Sequence, residues 1–231
     1  MLIHQDFVND QINQLNSLDE KRFAAQQLLR MHEEVKNKKN PLIVEFGVNS
    51  GQSTKIFLNA IDDKENAKLI SVDIDKYDNV SHSKKWEFVQ QDSSNVKKLI
   101  KTKPEIINGI DILYIDSLHT YGHVKKEVYN YFEYLKKDSI IFFDDIDSGP
   151  YMKNQRKDSV GTEINNRKIF KLLEAIFFSN MDKIDFEILR GSTGLGIFKK
   201  NNNIGEKLNE PLYIPERNSK ILSKIRNIIF N

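Results

Sequence analysis

Five short apolar runs constrain what this chain can fold into more than anything else in it. "PLIVEFG" (41–47), "AKLISVDID" (67–75), "WEFVQQD" (86–92), "IDILYID" (110–116) and "SIIFFDD" (139–145) are rich in Ile, Val and Phe, and each ends in an acidic residue or a glycine. Their apolarity is continuous rather than alternating, the pattern of strands covered on both faces, as in a parallel sheet. Stretches of helical texture separate them: "STKIFLNAI" (53–61), "SNVKKLIKT" (94–102) and "YGHVKKEVYNYFEYLKK" (121–137). In the last, Val124, Val128, Tyr131, Phe132 and Leu135 share one face at helical spacing. Strand–helix alternation of this kind predicts a doubly wound α/β sheet.

The flanks complete the organisation. Residues 4–37 predict helix in two pieces, broken near Asn16 and Ser17, with Phe23, Leu28, Leu29, Met31 and Val35 roughly at helical spacing. After the fifth strand come a polar loop (146–161) and a helix (166–178). "DFEILRG" (185–191) and "GLGIFKK" (194–200), joined through "STG", then predict an antiparallel pair. The expectation is one domain with a mostly parallel seven-stranded sheet: N-terminal helices (1–39), a core (40–200) and a C-terminal tail (201–231). The tail closes on "NSKILSKIRNIIF", a short basic amphipathic helix. It and the N-terminal helices offer surfaces through which a homodimer could form.

Composition excludes several function classes. At 231 residues the chain can bury a substantial core. Its net charge is +2 and its lysines are spread along its length, so no concentrated basic face marks a nucleic-acid binder. It has no cysteine, which removes thiol nucleophiles, disulfides and Cys-type zinc sites and fits a reducing compartment. No apolar run approaches the roughly 18 residues of a membrane span. The N-terminus is too polar for a signal peptide, so a cytoplasmic location is expected.

Chemistry gathers at the strand ends. In doubly wound sheets ligands bind outside the carboxyl ends of the strands, and here those ends carry Glu45, Asp73, Asp92, Asp116, Asp144 and Asp145. Any one of them could be only a helix cap or a turn residue. Together they would repel one another on one rim unless a cation, or a ligand presenting donors, offsets the charge. In "VEFGVNSGQST" (44–54), Gly47 and Gly51 let the turn pass close to a ligand, and Ser53 or Thr54 can cap the next helix. The spacing is neither G-x-G-x-x-G nor a P-loop. Asp73 stands roughly 20 residues past the glycines, where an acid can accept from both hydroxyls of a ribose. Asp92 and Ser93 follow where an adenine amino group could be read. Asp116, Asp144 and Asp145 offer hard carboxylate oxygens that suit Mg²⁺ or Ca²⁺ rather than zinc. His119, with an unperturbed pKa of about 6.5, suits a general base. His123 reads as structural or surface, and Tyr121 as packing. The loop 146–161, with Tyr151, Lys153, Arg156 and Lys157, reads either as a substrate lid or as a solvated loop.

Over residues 40–200 the chain resembles class I S-adenosylmethionine-dependent methyltransferases. "VEFGVNSGQST" is similar to their first motif, "SVDID" to the acidic second and "FVQQDSS" to the third. The nearer resemblance is to the metal-dependent O-methyltransferases of macrolide and aminocoumarin sugars and, more distantly, to catechol O-methyltransferase. Those carry a D-G-x-H-x-Y stretch after the fourth strand and an acid pair after the fifth. Here the stretch is Asp116-Ser117-Leu118-His119-Thr120-Tyr121, with Ser117 in place of the glycine, and the pair is Asp144-Asp145. The resemblance implies a Rossmann-like fold and S-adenosylmethionine as methyl donor, with S-adenosylhomocysteine as product. It implies cofactor contacts from Glu45, Gly47, Asn49, Ser50, Gly51, Ser53, Thr54, Asp73, Asp92, Ser93 and Asp116. It implies Mg²⁺ or another hard divalent cation on Asp116, Asp144 and Asp145, and catalysis by His119 with Asp116. His119 and Leu118 occupy the positions where the catechol and sugar enzymes place their base. The acceptor so implied is a hydroxyl of a sugar, a glycan or a sugar-bearing metabolite. Two other readings share these residues: a relative of the cephalosporin hydroxylase family, and a non-catalytic S-adenosylmethionine-binding subunit of a larger assembly.

Overall fold

The computed structural model describes residues 2–147, 149–151, 155 and 157–212. The apolar runs become β1 (Leu42–Phe46), β2 (Lys68–Asp73), β3 (Trp86–Gln90), β4 (Ile110–Ile115) and β5 (Leu135–Phe143). With β6 (Ile184–Leu189) and β7 (Leu195–Lys200) they form one seven-stranded sheet in the order β3-β2-β1-β4-β5-β7-β6. The first five strands run parallel, while β7 pairs antiparallel with both β5 and β6. The C-terminal hairpin is therefore present, with its second strand inserted beside β5.

Both faces of the sheet are covered, as the continuous apolar runs require. On β1, Val44 and Phe46 join one cluster with Leu99, Val128, Tyr131, Ile169 and Leu172. Ile43 turns the other way and packs with Met31, Val35, Ile56 and Phe57. This period-2 alternation sets helices α4 (Val96–Thr102), α5 (Tyr121–Tyr131) and α6 (Val160–Phe178) on one face. Helices α1 (Gln5–Gln14), α2 (Glu20–Lys36) and α3 (Gln52–Ile61) cover the other. The break between α1 and α2 falls where the sequence places it, with Asp19 capping α2 by accepting from the Lys21 N–H. Among the described residues no helix is long and apolar enough to cross a membrane.

Two boundaries differ from expectation, each for a visible reason. The helix expected over 121–137 ends at Tyr131, passes through a 3-10 turn at Phe132–Tyr134, and gives way to β5 at Leu135. Lys200 of β7, fully buried, donates from Nζ to the Phe132 and Leu135 carbonyls at 2.9 and 2.8 Å. It thereby satisfies the acceptors that the end of the helix leaves open. Burial pushes its pKa down to about 8. Helix α6 begins six residues earlier than expected, because Ser159 caps it by accepting from the Thr162 N–H at 3.2 Å. Lys153 and Arg156 of the expected lid, and the amphipathic segment of the tail, lie outside the described residues.

Candidate active site

The chain passes from β1 outward to β3 and then crosses back to β4, so β1 and β4 flank the point where strand order reverses. A cleft of about 550 Å³ opens at the carboxyl ends there, where an open α/β sheet binds its ligands. Of the residues expected at a site, Gly47, Asn49, Asp73, Asp92, Ser93, Asp116 and His119 line it.

Backbone geometry explains the first glycine. Gly47 has φ +87°, and a Cβ added there would stand 2.0 Å from the Asp116 carbonyl oxygen. The tip of β1 can therefore lie against the tip of β4 only without a side chain. Gly51, at φ +72°, forms the N-cap of α3, and a Cβ there would meet Val80 at 2.3 Å.

Glu45, Ser53 and Thr54 do not face the cleft; they bind one another. Glu45 is fully buried and accepts from Ser53 Oγ at 2.6 Å, from Thr54 Oγ1 at 2.9 Å and from Ser71 Oγ. Burial raises its pKa to about 7 against the opposing pull of these three hydroxyls. The serine and threonine thus tie α3 to β1 rather than capping the helix. Ser50 and Gly51 are likewise absent from the residues lining the cleft. Asp73 does reach across: its Oδ2 accepts from the Val48 N–H at 2.8 Å and its Oδ1 from the Asp75 N–H at 3.0 Å. It shapes the glycine turn while standing in the cleft wall.

At the next strand end, Asp92 accepts from the Ser94 hydroxyl at 2.7 Å and the Ser94 N–H at 2.8 Å, and these bonds lower its pKa. Ser93 turns its hydroxyl to Glu127 and His123. The neighbouring Gln91 lines the cleft, and its buried Oε1 has no hydrogen-bond partner among the described residues. An orphaned acceptor in a ligand cleft is costly until a donor meets it. An exocyclic amino group, such as that of adenine, is a donor of the right kind.

The acid cluster lies at the ends of β4 and β5. Buried Tyr114 places its hydroxyl 3.0 Å from Asp116 Oδ2 and 2.9 Å from Asp144 Oδ2, so one proton serves two carboxylates. Thr193, in the β6–β7 turn, donates to Asp144 Oδ1 at 2.6 Å. His119 bridges the remaining charge, with Nε2 3.2 Å from Asp116 Oδ1 and Nδ1 3.3 Å from Asp145 Oδ2. Burial and the Asp144 charge push the Asp116 pKa up. For His119, burial alone would lower the pKa, but Asp116 and Asp145 carry it up to about 9. A raised pKa favours the protonated ring, which has to lose that proton before it can act as a general base.

The donor chemistry suits a hard cation: Asp116 and Asp144 share the Tyr114 hydroxyl, burial and the Asp144 charge raise the Asp116 pKa, and the His119 ring lies between Asp116 and Asp145. Among the described residues no three carboxylate or imidazole groups are disposed to enclose a metal ion as they stand. A cation held there would take over the part His119 now plays.

Four contributors escaped the sequence reading. Tyr114 and Gln91 sit inside strand-like runs, where they look like packing. Thr193 reaches the site from a turn distant in sequence. Glu127 carries a legible signal: it falls between Val124 and Tyr131 on the buried stripe of α5, a place where an unpaired acid would be expensive.

A family model described as a methyltransferase domain matches residues 44–146, from β1 through the acid pair. Over those residues, a little under half of its length, the chain is similar to methyltransferase domains. Solved structures agree on the fold. The methyltransferase MycE from the mycinamycin biosynthetic pathway, in complex with Mg and SAH, aligns at 13% identity with a TM-score of 0.56. The match covers 87% of this chain and 55% of MycE, so the chain spans about half the length of that relative. MycE with Mg, SAH and mycinamycin VI aligns at 14% identity with the same coverage and TM-score. The SAH-bound methyltransferase PaMTH1 of Podospora anserina aligns at 16% identity and a TM-score of 0.58, over 87% of this chain and 90% of its own. Among curated proteins none matches in sequence. The chain thus shares the Rossmann-like fold of these structures, with a three-strand antiparallel edge of β5, β7 and β6.

Proposed function

We propose that the chain is a methyltransferase that transfers the methyl group of S-adenosylmethionine to a hydroxyl of a sugar or sugar-bearing metabolite, with a divalent cation on Asp116, Asp144 and Asp145. The observation that carries the reading is the pairing of two unmet demands in adjoining places. Gln91, in the cleft wall, holds a buried Oε1 with no partner among the described residues, and beside it stands an acid cluster whose charges are offset by one histidine. The cation, when bound, supplies Lewis acidity that lowers the pKa of the acceptor hydroxyl.

The chain's own residues do the rest. Asp73 and the Gly47 turn shape the nucleoside end, and Gln91 Oε1 receives the nucleobase amino group. The S–CH₃ bond breaks as the O–CH₃ bond forms, and the main contribution of the protein is to hold the two in line. Were a cation held by Asp116, Asp144 and Asp145, its charge would offset the carboxylates that raise the His119 pKa, and His119 would be the residue to accept the hydroxyl proton. The sugar acceptor is supported by the D-x-x-H-x-Y stretch with its Asp-Asp partner, and by the likeness to a chain solved with Mg, SAH and mycinamycin VI.

Calorimetric titration with S-adenosylhomocysteine, with and without Mg²⁺, tests the donor and the cation; labelled methyl transfer to nucleotide sugars and to catechol then tests the acceptor. Binding of the nucleoside, a separate Mg²⁺ heat and label on the sugars are expected. No nucleoside binding would sink the donor assignment, and label on catechol alone would sink the acceptor.

A further inference from the structure

Glu127 takes no part in the cation cluster, yet it is fully buried in α5. One of its oxygens gathers three groups: Oε1 accepts from Ser117 Oγ at 2.6 Å and from Ser93 Oγ, and His123 Nε2 lies 3.1 Å away. Its other oxygen, Oε2, is buried with no hydrogen-bond partner among the described residues. A carboxylate removed from water with half its lone pairs unmet is destabilising. An apolar side chain of similar volume would serve a core better. What the carboxylate does provide is position.

Its three partners come from three places in the chain. Ser93 lies in the loop after β3, Ser117 directly follows Asp116, and His123 sits on the first turn of α5. All three line the cleft. The tie is closed on itself, since Ser93 Oγ is also 3.1 Å from His123 Nε2 and the Ser93 carbonyl accepts from Tyr131 Oη at 2.8 Å. The charged groups that bear on His123 are Glu127 and Lys126 of α5 and Asp92 of the loop after β3. The Glu127 hydrogen bond raises the His123 pKa, against burial. Ser117 stands where the similar family carries glycine, so its hydroxyl is an arm that this chain adds.

We propose that Glu127 is a positioning residue for the nucleoside end of the methyl donor, clamping Ser93, Ser117 and His123 on one carboxylate oxygen so that the cleft wall from the β3 loop to the end of β4 is set before the ligand arrives. This rests on S-adenosylmethionine being the donor. A wall fixed in advance spares the ligand the cost of ordering it.

The test is calorimetric titration of the full chain with S-adenosylhomocysteine, for wild type, Glu127→Gln, His123→Gln, Ser117→Gly and the Glu127→Gln/His123→Gln double variant. Thermal unfolding of each, and the NMR titration of the His123 ring, accompany it. The expected result is a Kd raised about tenfold by Glu127→Gln and about threefold by each arm alone, with the double variant no weaker than Glu127→Gln. The His123 ring should titrate at lower pH once Glu127 is amidated, a change that loss of packing alone would not produce. Should Glu127→Gln fail to fold, the two arm variants carry the same test. Folded variants that all bind within twofold of wild type would overturn the proposal while leaving the donor intact. No binding by the wild type would overturn the donor assignment and the clamp together.

Discussion

Glu45 and Asp116 belong to neighbouring strands, yet the protein treats them in opposite ways. Each is an acid at or near the carboxyl end of a parallel strand, and burial raises the pKa of each. Around Glu45 the chain supplies three hydroxyl donors and no second charge within hydrogen-bond reach. Around Asp116 it supplies more acids, one shared tyrosine hydroxyl and a histidine that must be protonated to help. The first arrangement is closed, since its acceptors are met by α3 and β2. The second is open, because its three acids outnumber the one histidine set among them. Closed carboxylates hold a fold together, whereas open ones call for a ligand.

The largest effect should come from opening the comparison on the Asp116 side. Asp144→Asn removes one charge and keeps the shape, so labelled methyl transfer should drop by about 10²–10³-fold. S-adenosylhomocysteine binding by calorimetry should stay within a few-fold of wild type. Activity retained at the wild-type level would make the open cluster merely structural, and the contrast would collapse.

Next in size is the closed side. Glu45→Ala leaves three buried hydroxyls without their acceptor and should cost about 2–4 kcal/mol in urea unfolding. Glu45→Gln keeps an acceptor and should cost less. The same residue gives a pH dependence with a definite sign. Its pKa rises from 4.5 to about 7 on folding, so between those values the folded state binds the extra proton. Stability should therefore fall as pH climbs from 4.5 through 7 and level off above. Urea midpoints across that window should flatten in Glu45→Gln. An unchanged slope in that variant would show that Glu45 stays charged in the fold throughout that window, and that the hydroxyls offset burial.

The sequence announced the open side more clearly than the closed one. Strand ends bearing Asp116, Asp144 and Asp145 advertise a rim because acids have no packing use there, and the parallel order follows from apolar runs with no alternation. The role of Glu45 was harder to read. It stands in the motif that suggests a cofactor loop, but its partners Ser53, Thr54 and Ser71 lie on α3 and β2, and only the folded register brings them onto its carboxylate. The same limit hid Thr193 and the early end of α5, which depends on a lysine 65 to 68 residues further along the chain. Glu127 was the exception. Its heptad neighbours Val124, Val128 and Tyr131 mark the buried stripe, so periodicity alone places an acid in the core.

The smallest expected effects sharpen the comparison one hydroxyl at a time. Tyr114 shares a proton between Asp116 and Asp144 on the open side, and Ser71 on the closed side donates to Glu45 while accepting from Trp86 Nε1 at 2.8 Å. Removing the Tyr114 hydroxyl frees two carboxylates that the phenol had oriented. Tyr114→Phe should weaken Mg²⁺ binding roughly tenfold and change urea stability little, because relief of a shared acceptor offsets the lost bond. Ser71→Ala should do the reverse, lowering stability by about 1 kcal/mol and leaving the Mg²⁺ heat unchanged. If both variants lost stability alike with Mg²⁺ affinity untouched, the two acids would belong to one structural network, and the cation would have to bind elsewhere.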